Sequence, residues 1–252
     1  MKVLVTFALE NEFSPWRKLA GFQCVSVFDS HRWYEAQIGA AEVRVVVTGA
    51  GRFAAHRAMN SAFDEVPDFC IASGLAGALK TDYLPGQVLA ARWVTEAESG
   101  RSLLGDTELL QRAAETGAKL VERFLVTDRV IATAAEKQQL GARGDAVEME
   151  GAYILAAAAQ RGVRAVAIRS VSDAVDQDLP LDFDRTFDDY GRVKISSVFR
   201  QVAVKPGRIG GLIRLAEGSA RAAGSLASFL NAFVQTLPAH PEGVAKADAL
   251  AL

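Results

Sequence analysis

Two glutamates flank a methionine in Val147-Glu148-Met149-Glu150-Gly151, and Arg169-Ser170-Val171-Ser172-Asp173 follows the next apolar run. This spacing puts Glu150 and Asp173 at the ends of two predicted buried strands, where an ionised carboxylate is expensive unless it is paired or used. Strand carboxyl ends are where open α/β sheets bind ligands, and the loops there carry chemistry. A third acid, Glu12, follows the first strand in Glu10-Asn11-Glu12 and opens a helix. Alone, it reads as a favourable partner for the helix dipole. With Glu150, Arg169 and Asp173 also at strand ends, it could converge with them on one cleft. Charged groups brought together there shift one another's proton affinities and can divide acid from base duties.

The elements that must position these groups follow from periodicity. Apolar runs predict strands over 2–8, 24–28, 33–38, 43–48, 69–73, 87–94, 123–127, 146–149 and 164–170. Helical spacing predicts helices over 12–18, 52–63, 106–116, 134–140, 150–160 and 212–235, the last weakened by Gly218 and Gly224. Runs 24–28 and 33–38 read as a hairpin, with His31 in its loop, so the sheet is expected to be mixed. The expected fold is an α/β three-layer sandwich, a central mixed β-sheet flanked by helices, formed by a single domain over 1–237. Residues 179–206, rich in turn formers with interleaved aromatics, read as an inserted lid or pocket wall, with Leu181, Phe183, Phe187 and Tyr190 as candidate wall residues. Residues 238–252 read as a flexible tail.

Two glycine segments accompany the acids. Thr48-Gly49-Ala50-Gly51-Arg52-Phe53-Ala54 matches a dinucleotide fingerprint only superficially, because no acid ends the next strand. A turn that brings backbone amides close to a small ligand is the better reading. Ser73-Gly74-Leu75-Ala76-Gly77 likewise reads as a strand running into a small-residue turn.

Composition excludes several classes. Of 252 residues, 50% are hydrophobic and 23% charged, and Lys+Arg at 28 balance Asp+Glu at 30. No polyanion-binding footprint is visible, which argues against a nucleic-acid polymer as partner. No run approaches the roughly 20 apolar residues of a membrane span, so stable membrane insertion is not expected. Cys24 and Cys70 lie in separate apolar runs and read as buried free thiols. His31, His56 and His240 are scattered, with no zinc spacing and no nucleophile elbow. No metal and no cofactor is expected, and the direct opening into a strand suggests a cytoplasmic protein.

Phe7-Ala8-Leu9-Glu10-Asn11-Glu12, Thr48-Gly49-Ala50-Gly51, Ser73-Gly74-Leu75-Ala76-Gly77, Val147-Glu148-Met149-Glu150 and Arg169-Ser170-Val171-Ser172-Asp173 occur in this order. In order and spacing they resemble the nucleoside phosphorylase/nucleosidase superfamily, especially 5'-methylthioadenosine/S-adenosylhomocysteine nucleosidases. The resemblance spans residues 1 to about 177 and implies cleavage of a purine N-ribosyl bond in a small nucleoside by a homodimer. It implies Asp173 as general acid at purine N7, held by Ser172. Glu12, with Arg169, would activate a water. Glu150, Glu148 and the Met149 backbone would hold the ribose. Val130 and Ile131 would line the base site, with Leu9, Ala50 and Leu75 elsewhere in the pocket.

Phosphorolytic members carry arginines near the first strand turn and before the third-strand glycine turn. Here those places read Glu10-Asn11-Glu12 and Ile71-Ala72-Ser73, which favours water over phosphate. Arg52, Arg57 or a neighbouring subunit's arginine could reverse that. Leu75 stands where nucleosidases of this type carry a hydroxyl that helps hold the water, while Ala50 replaces a bulkier aliphatic near the 5' substituent and Val130 a family aromatic, two changes that enlarge the pocket. With the 179–206 insertion, these departures are similar to the hopanoid-associated branch, which acts on adenosylhopane, and imply a large or apolar 5' substituent. A phosphorylase, including an adenosylhopane-cleaving one, and a non-catalytic nucleoside-binding protein stand as alternatives.

Overall fold

In this computed structural model, residues 1–28, 31–180, 191 and 209–238 are described. Ten strands build one mixed sheet: β1 (Lys2–Phe7), β2 (Gln23–Phe28), β3 (His31–Ile38), β4 (Ala41–Val47), β5 (Phe69–Ala78), β6 (Val88–Glu96), β7 (Ser102–Leu104), β8 (Lys119–Val126), β9 (Ala146–Glu148) and β10 (Arg164–Asp173). The α-helices among the described residues are α1 (Glu10–Ala20), α2 (Arg52–Ala62), α3 (Thr107–Thr116), α4 (Ala134–Leu140), α5 (Gly151–Gln160) and α6 (Ile209–Phe233), the last followed by a 3-10 turn at Val234–Thr236.

Alternation along β1 shows how the layers form. Val3, Val5 and Phe7 point into a core with Phe13 and Trp16 of α1, Leu109 of α3 and Leu230 and Phe233 of α6. Leu4 points the other way, towards Ala58 and Met59 of α2 and Leu155 of α5. This period of two lets one strand supply both cores. The expected sandwich of helices around a central mixed sheet is therefore present.

The sheet goes further than that expectation, because part of it closes on itself. β1 lies parallel between β4 and β5. β5 pairs in parallel with β10, β10 antiparallel with β6, β6 in parallel with β8, β8 in parallel with β9, and β9 antiparallel with β5. These pairings make a closed ring, from which β1, β4, β3 and β2 extend as an open wing.

Several sequence expectations need correction. Ser73-Gly74-Leu75-Ala76-Gly77 is no turn but the second half of β5, with Leu75 opposite Ser170 and Gly77 opposite Asp173. Ladder bonds to a long β10 keep these small residues extended. β10 likewise runs on to Asp173, through an irregularity between Val171 and Asp173. The short β7 was not anticipated; three residues give no readable alternation. His31 is the buried first residue of β3, not part of a loop. Cys24 is exposed while Cys70 is buried; β2 is the outer strand of the wing, and a shift in its register at Cys24–Ser26 accompanies the exposed run Gln23–Val27.

α6 runs without a break through Gly218 and Gly224. Gly218 is a condition for its position: a Cβ there would lie 2.5 Å from the Ser172 carbonyl oxygen, so only glycine lets the helix press on the end of β10. No helix among the described residues is long and apolar enough to cross a membrane.

Candidate active site

Glu12 lies in the first turn of α1, and its Oε2 accepts from the N–H groups of Ala8 at 3.2 Å and Leu9 at 3.3 Å. It therefore satisfies orphan donors at the helix start, as the helix-dipole reading expected. It also faces Gly74 of β5, where a Cβ would lie 3.2 Å from Glu12 Oε2 and 3.9 Å from Arg169 Nε. Burial pushes the Glu12 carboxyl up to about 7, against the opposing pull of Arg169 and of the Leu9, Ala8 and Leu75 N–H groups.

Arg169, on β10, is fully buried. One terminal nitrogen pairs with Glu148, and the other donates to the Ala72 and Ile168 carbonyls. Its Nε makes no hydrogen bond within the protein, which leaves a buried donor beside Glu12. Glu148, at the end of β9, also accepts from the N–H groups of Glu150 at 3.1 Å and Gly151 at 2.9 Å. It is thus an internal strut between Arg169 and the start of α5, with both carboxylate oxygens already engaged within the protein. A substrate-contacting role for Glu148 does not fit this placement.

Glu150 caps the approach to α5, and its Oε1 accepts from the Gly51 N–H at 2.6 Å. Burial first, then repulsion from Glu148, pushes its carboxyl up to about 8, with Arg169 and the Gly51 N–H acting the other way. Met149 joins the same corner, its methyl 3.6 Å from where a Gly51 Cβ would stand. The Gly49–Gly51 turn thus brings a backbone amide to the protein's own Glu150 carboxylate, where its composition suggested a small ligand.

Asp173 ends β10. Its Oδ1 accepts from Ser172 Oγ at 2.5 Å, and its Oδ2 pairs with Lys137 of α4. A Cβ at Gly77 would stand 3.0 Å from Asp173 Oδ2 and 3.4 Å from a Val147 methyl, so a second glycine of β5 makes room for a second acid. Gly74 and Gly77 are three residues apart, about 10 Å along the strand. Glu12 and Asp173 therefore lie against two stations of one strand, Gly74 and Gly77.

The apolar positions are less uniformly gathered. Leu9 caps α1, and the Leu75 N–H faces Glu12. Ala50 donates its N–H to the Gly191 carbonyl at 2.9 Å. Ile131 packs with Leu79, Leu125 and Val147. Val130 is half-buried before α4, and no described contact ties it to the carboxylates. Leu181, Phe183, Phe187 and Tyr190 lie outside the described residues. Arg52 pairs with Asp128 at 3.3 Å rather than with the cleft acids.

Lys137 is the participant that sequence reasoning missed. In a short helix beside Glu136 and Gln138 it reads as a solvent-facing lysine, and nothing local marks it as buried.

Residues 2–203 match the sequence profile of the phosphorylase superfamily. A 5'-methylthioadenosine/S-adenosylhomocysteine nucleosidase from an Exiguobacterium species is 26% identical over 209 residues, covering 73% of this chain and 90% of that protein. Among solved structures, the Neisseria meningitidis nucleosidase of the same name, in complex with methylthio-immucillin-A, superposes with a TM-score of 0.71 at 22% identity over 94% of this chain and 99% of that one. Futalosine hydrolase of Helicobacter pylori superposes equally well, with a TM-score of 0.73 at 18% identity over 94% of this chain and 98% of that one. The sequence profile spans most of the chain, and the chain belongs to the phosphorylase superfamily.

Proposed function

We propose that this enzyme hydrolyses the N-glycosidic bond of a 5'-modified adenosine and releases adenine. One observation carries the choice of water as nucleophile: Glu12 and the unpartnered Nε–H of Arg169 flank the same glycine, Gly74. A carboxyl near neutrality can take a proton from water, and a buried donor without a partner can hold that water's oxygen. An acid at this position would repel phosphate, and Arg52 is engaged elsewhere.

In this reading the water oxygen bonds to C1' and its proton passes to Glu12. The C1'–N9 electron pair moves onto the purine, and N7 takes a proton from Asp173. Glu150, held through one oxygen by Gly51, presents the other to the ribose hydroxyls, a hydrogen bond that strengthens as positive charge builds on the sugar. Met149 packs beneath the sugar and Ile131 beside the base. Ala50 lies towards the 5' end, where a small side chain suits a bulky apolar substituent, while Leu75, whose N–H faces Glu12, stands beside the water. The sequence relative supports methylthioadenosine or adenosylhomocysteine as the starting point. The likeness to futalosine hydrolase supports testing a wider range.

The test is base release from methylthioadenosine, adenosylhomocysteine, 5'-deoxyadenosine, futalosine and a long-chain 5'-alkyl adenosine, each with and without phosphate. Release of adenine that is indifferent to phosphate is expected, with the bulky apolar substrate competing well. A strict phosphate requirement would make the enzyme a phosphorylase. Release from none would favour a binding protein. Asp173→Asn should lose nearly all turnover, because an amide cannot give the leaving base its proton; full activity in that variant would remove Asp173 from the acid role.

A further inference from the structure

The turn after β4 carries three amides in succession, and each has an acceptor within the chain. Gly49 N–H donates to the Ala8 carbonyl at 3.0 Å, Ala50 N–H to the Gly191 carbonyl at 2.9 Å, and Gly51 N–H to Glu150 at 2.6 Å. Gly49 and Gly51 are left-handed, with φ of +87° and +86°, in a turn of the kind that can gather amides into a concave anion site. The first and third acceptors belong to groups already at the cleft, the residue after β1 and the acid before α5. The middle one comes from Gly191, far along the chain in the stretch expected as a pocket wall.

Gly191 is fitted to that one contact. It is buried, its φ is +69°, and a Cβ there would lie 2.2 Å from the Ala50 oxygen and 2.4 Å from the Ala50 nitrogen. The left-handed backbone and the close approach each call for glycine. Ala50 itself is only half-buried, so part of it stays open beside the contact. An apolar group laid over an amide strips its water, and a buried donor left without an acceptor costs more than a hydrogen bond normally contributes. With the Ala50 N–H supplied by Gly191, an apolar 5' substituent can cross the turn without stranding a donor. The same pairing withholds that donor from a charged substituent, since a carboxylate arriving at the turn finds all three amides taken.

We propose that Gly191 is a specificity-determining residue, whose carbonyl occupies the Ala50 amide and so selects apolar 5' substituents over anionic or zwitterionic ones. The inference rests on the nucleosidase reading above, which puts Ala50 towards the 5' end of the substrate. Gly191 takes no part in breaking the glycosidic bond. It sets the polarity of the surface on which the far end of the nucleoside rests.

The experiment measures kcat/KM for a long-chain 5'-alkyl adenosine, for adenosylhomocysteine and for 5'-deoxyadenosine, whose 5' carbon bears no substituent. The readout is the ratio of the first to the second, which does not depend on the active fraction of a variant. The wild-type protein should favour the alkyl nucleoside. In Gly191→Ala the ratio should fall about 10-fold, the scale of one stranded buried donor, and the Ala50 amide should lose its protection in hydrogen exchange. Gly191→Asn tolerates the left-handed backbone but not the close approach, so it repeats the test with less strain if the Ala variant does not fold. An unchanged ratio, with all three rates lowered together, would make Gly191 a structural tie and overturn the proposal, as would a wild-type preference for adenosylhomocysteine. Should the wild-type protein release base from none of the three, the nucleosidase reading itself fails, a result distinct from an unchanged ratio.

Discussion

At the scale of single residues, the site is a set of carboxylates made unlike by their surroundings. Glu12 and Glu150 hold their protons more tightly folded than unfolded, near 7 and 8, chiefly because burial disfavours their charged forms. The stability they contribute is present at acid pH and is lost as pH rises from the ordinary carboxylate range through those values. The melting temperature should therefore fall between about pH 5 and pH 8, and Glu150→Gln should flatten that slope; an equally steep slope in the variant would contradict the assignment. In the proposed role of base Glu12 must be ionised, so kcat/KM should climb with pH through about 7. Glu12→Gln should remove that limb and lower the rate by about 100- to 10,000-fold. Arg169 acts differently, since its loss strands Glu148 as a buried charge. Arg169→Met should lose about 3–5 kcal/mol of unfolding free energy, read from urea denaturation. The acids were legible in the sequence because charged residues closing apolar runs stand out. Lys137 was not, because its burial comes from the chain around Ala174–Gln177, 37 or more positions away.

At the scale of elements, glycines decide how closely strands and helices bring these groups together. Gly74 has φ +143° and a Cβ there would press on Glu12. Gly74→Ala should disturb the proposed water-activating pair, Glu12 and Arg169, and lower kcat well before it changes substrate affinity; a pure KM effect would argue against that placement. Gly218→Ala should push α6 off the Ser172 carbonyl and show as a lower melting temperature with slower base release. Periodicity found most strands and the helices with usable accuracy, and α4 at its observed bounds. It misjudged Ser73–Gly77 because glycine and serine carry turn propensity, while the ladder between β5 and β10 overrides that preference. Gly218 was read as a weakness for the same reason: propensity does not see a neighbouring backbone.

For the whole molecule, the layered α/β architecture was readable, whereas the closure of five strands into a ring was not. Ring closure depends on β10 meeting both β5 and β6, a long-range pairing with no local signature. It has a consequence for how the protein fails. Gly74, Gly77, Arg169 and Asp173 all lie on β5 and β10, which have strand partners on both sides, while β2 lies at the free edge of the wing with much of its surface exposed. Fraying should begin at β2 and reach the ring last, as the protection of strand amides in hydrogen exchange would record. β2 can fray without disturbing Glu12, on the helix after β1, or Gly51, on the turn after β4, so catalysis should outlast the loosening of that edge and disappear at the urea midpoint of the rest of the sheet.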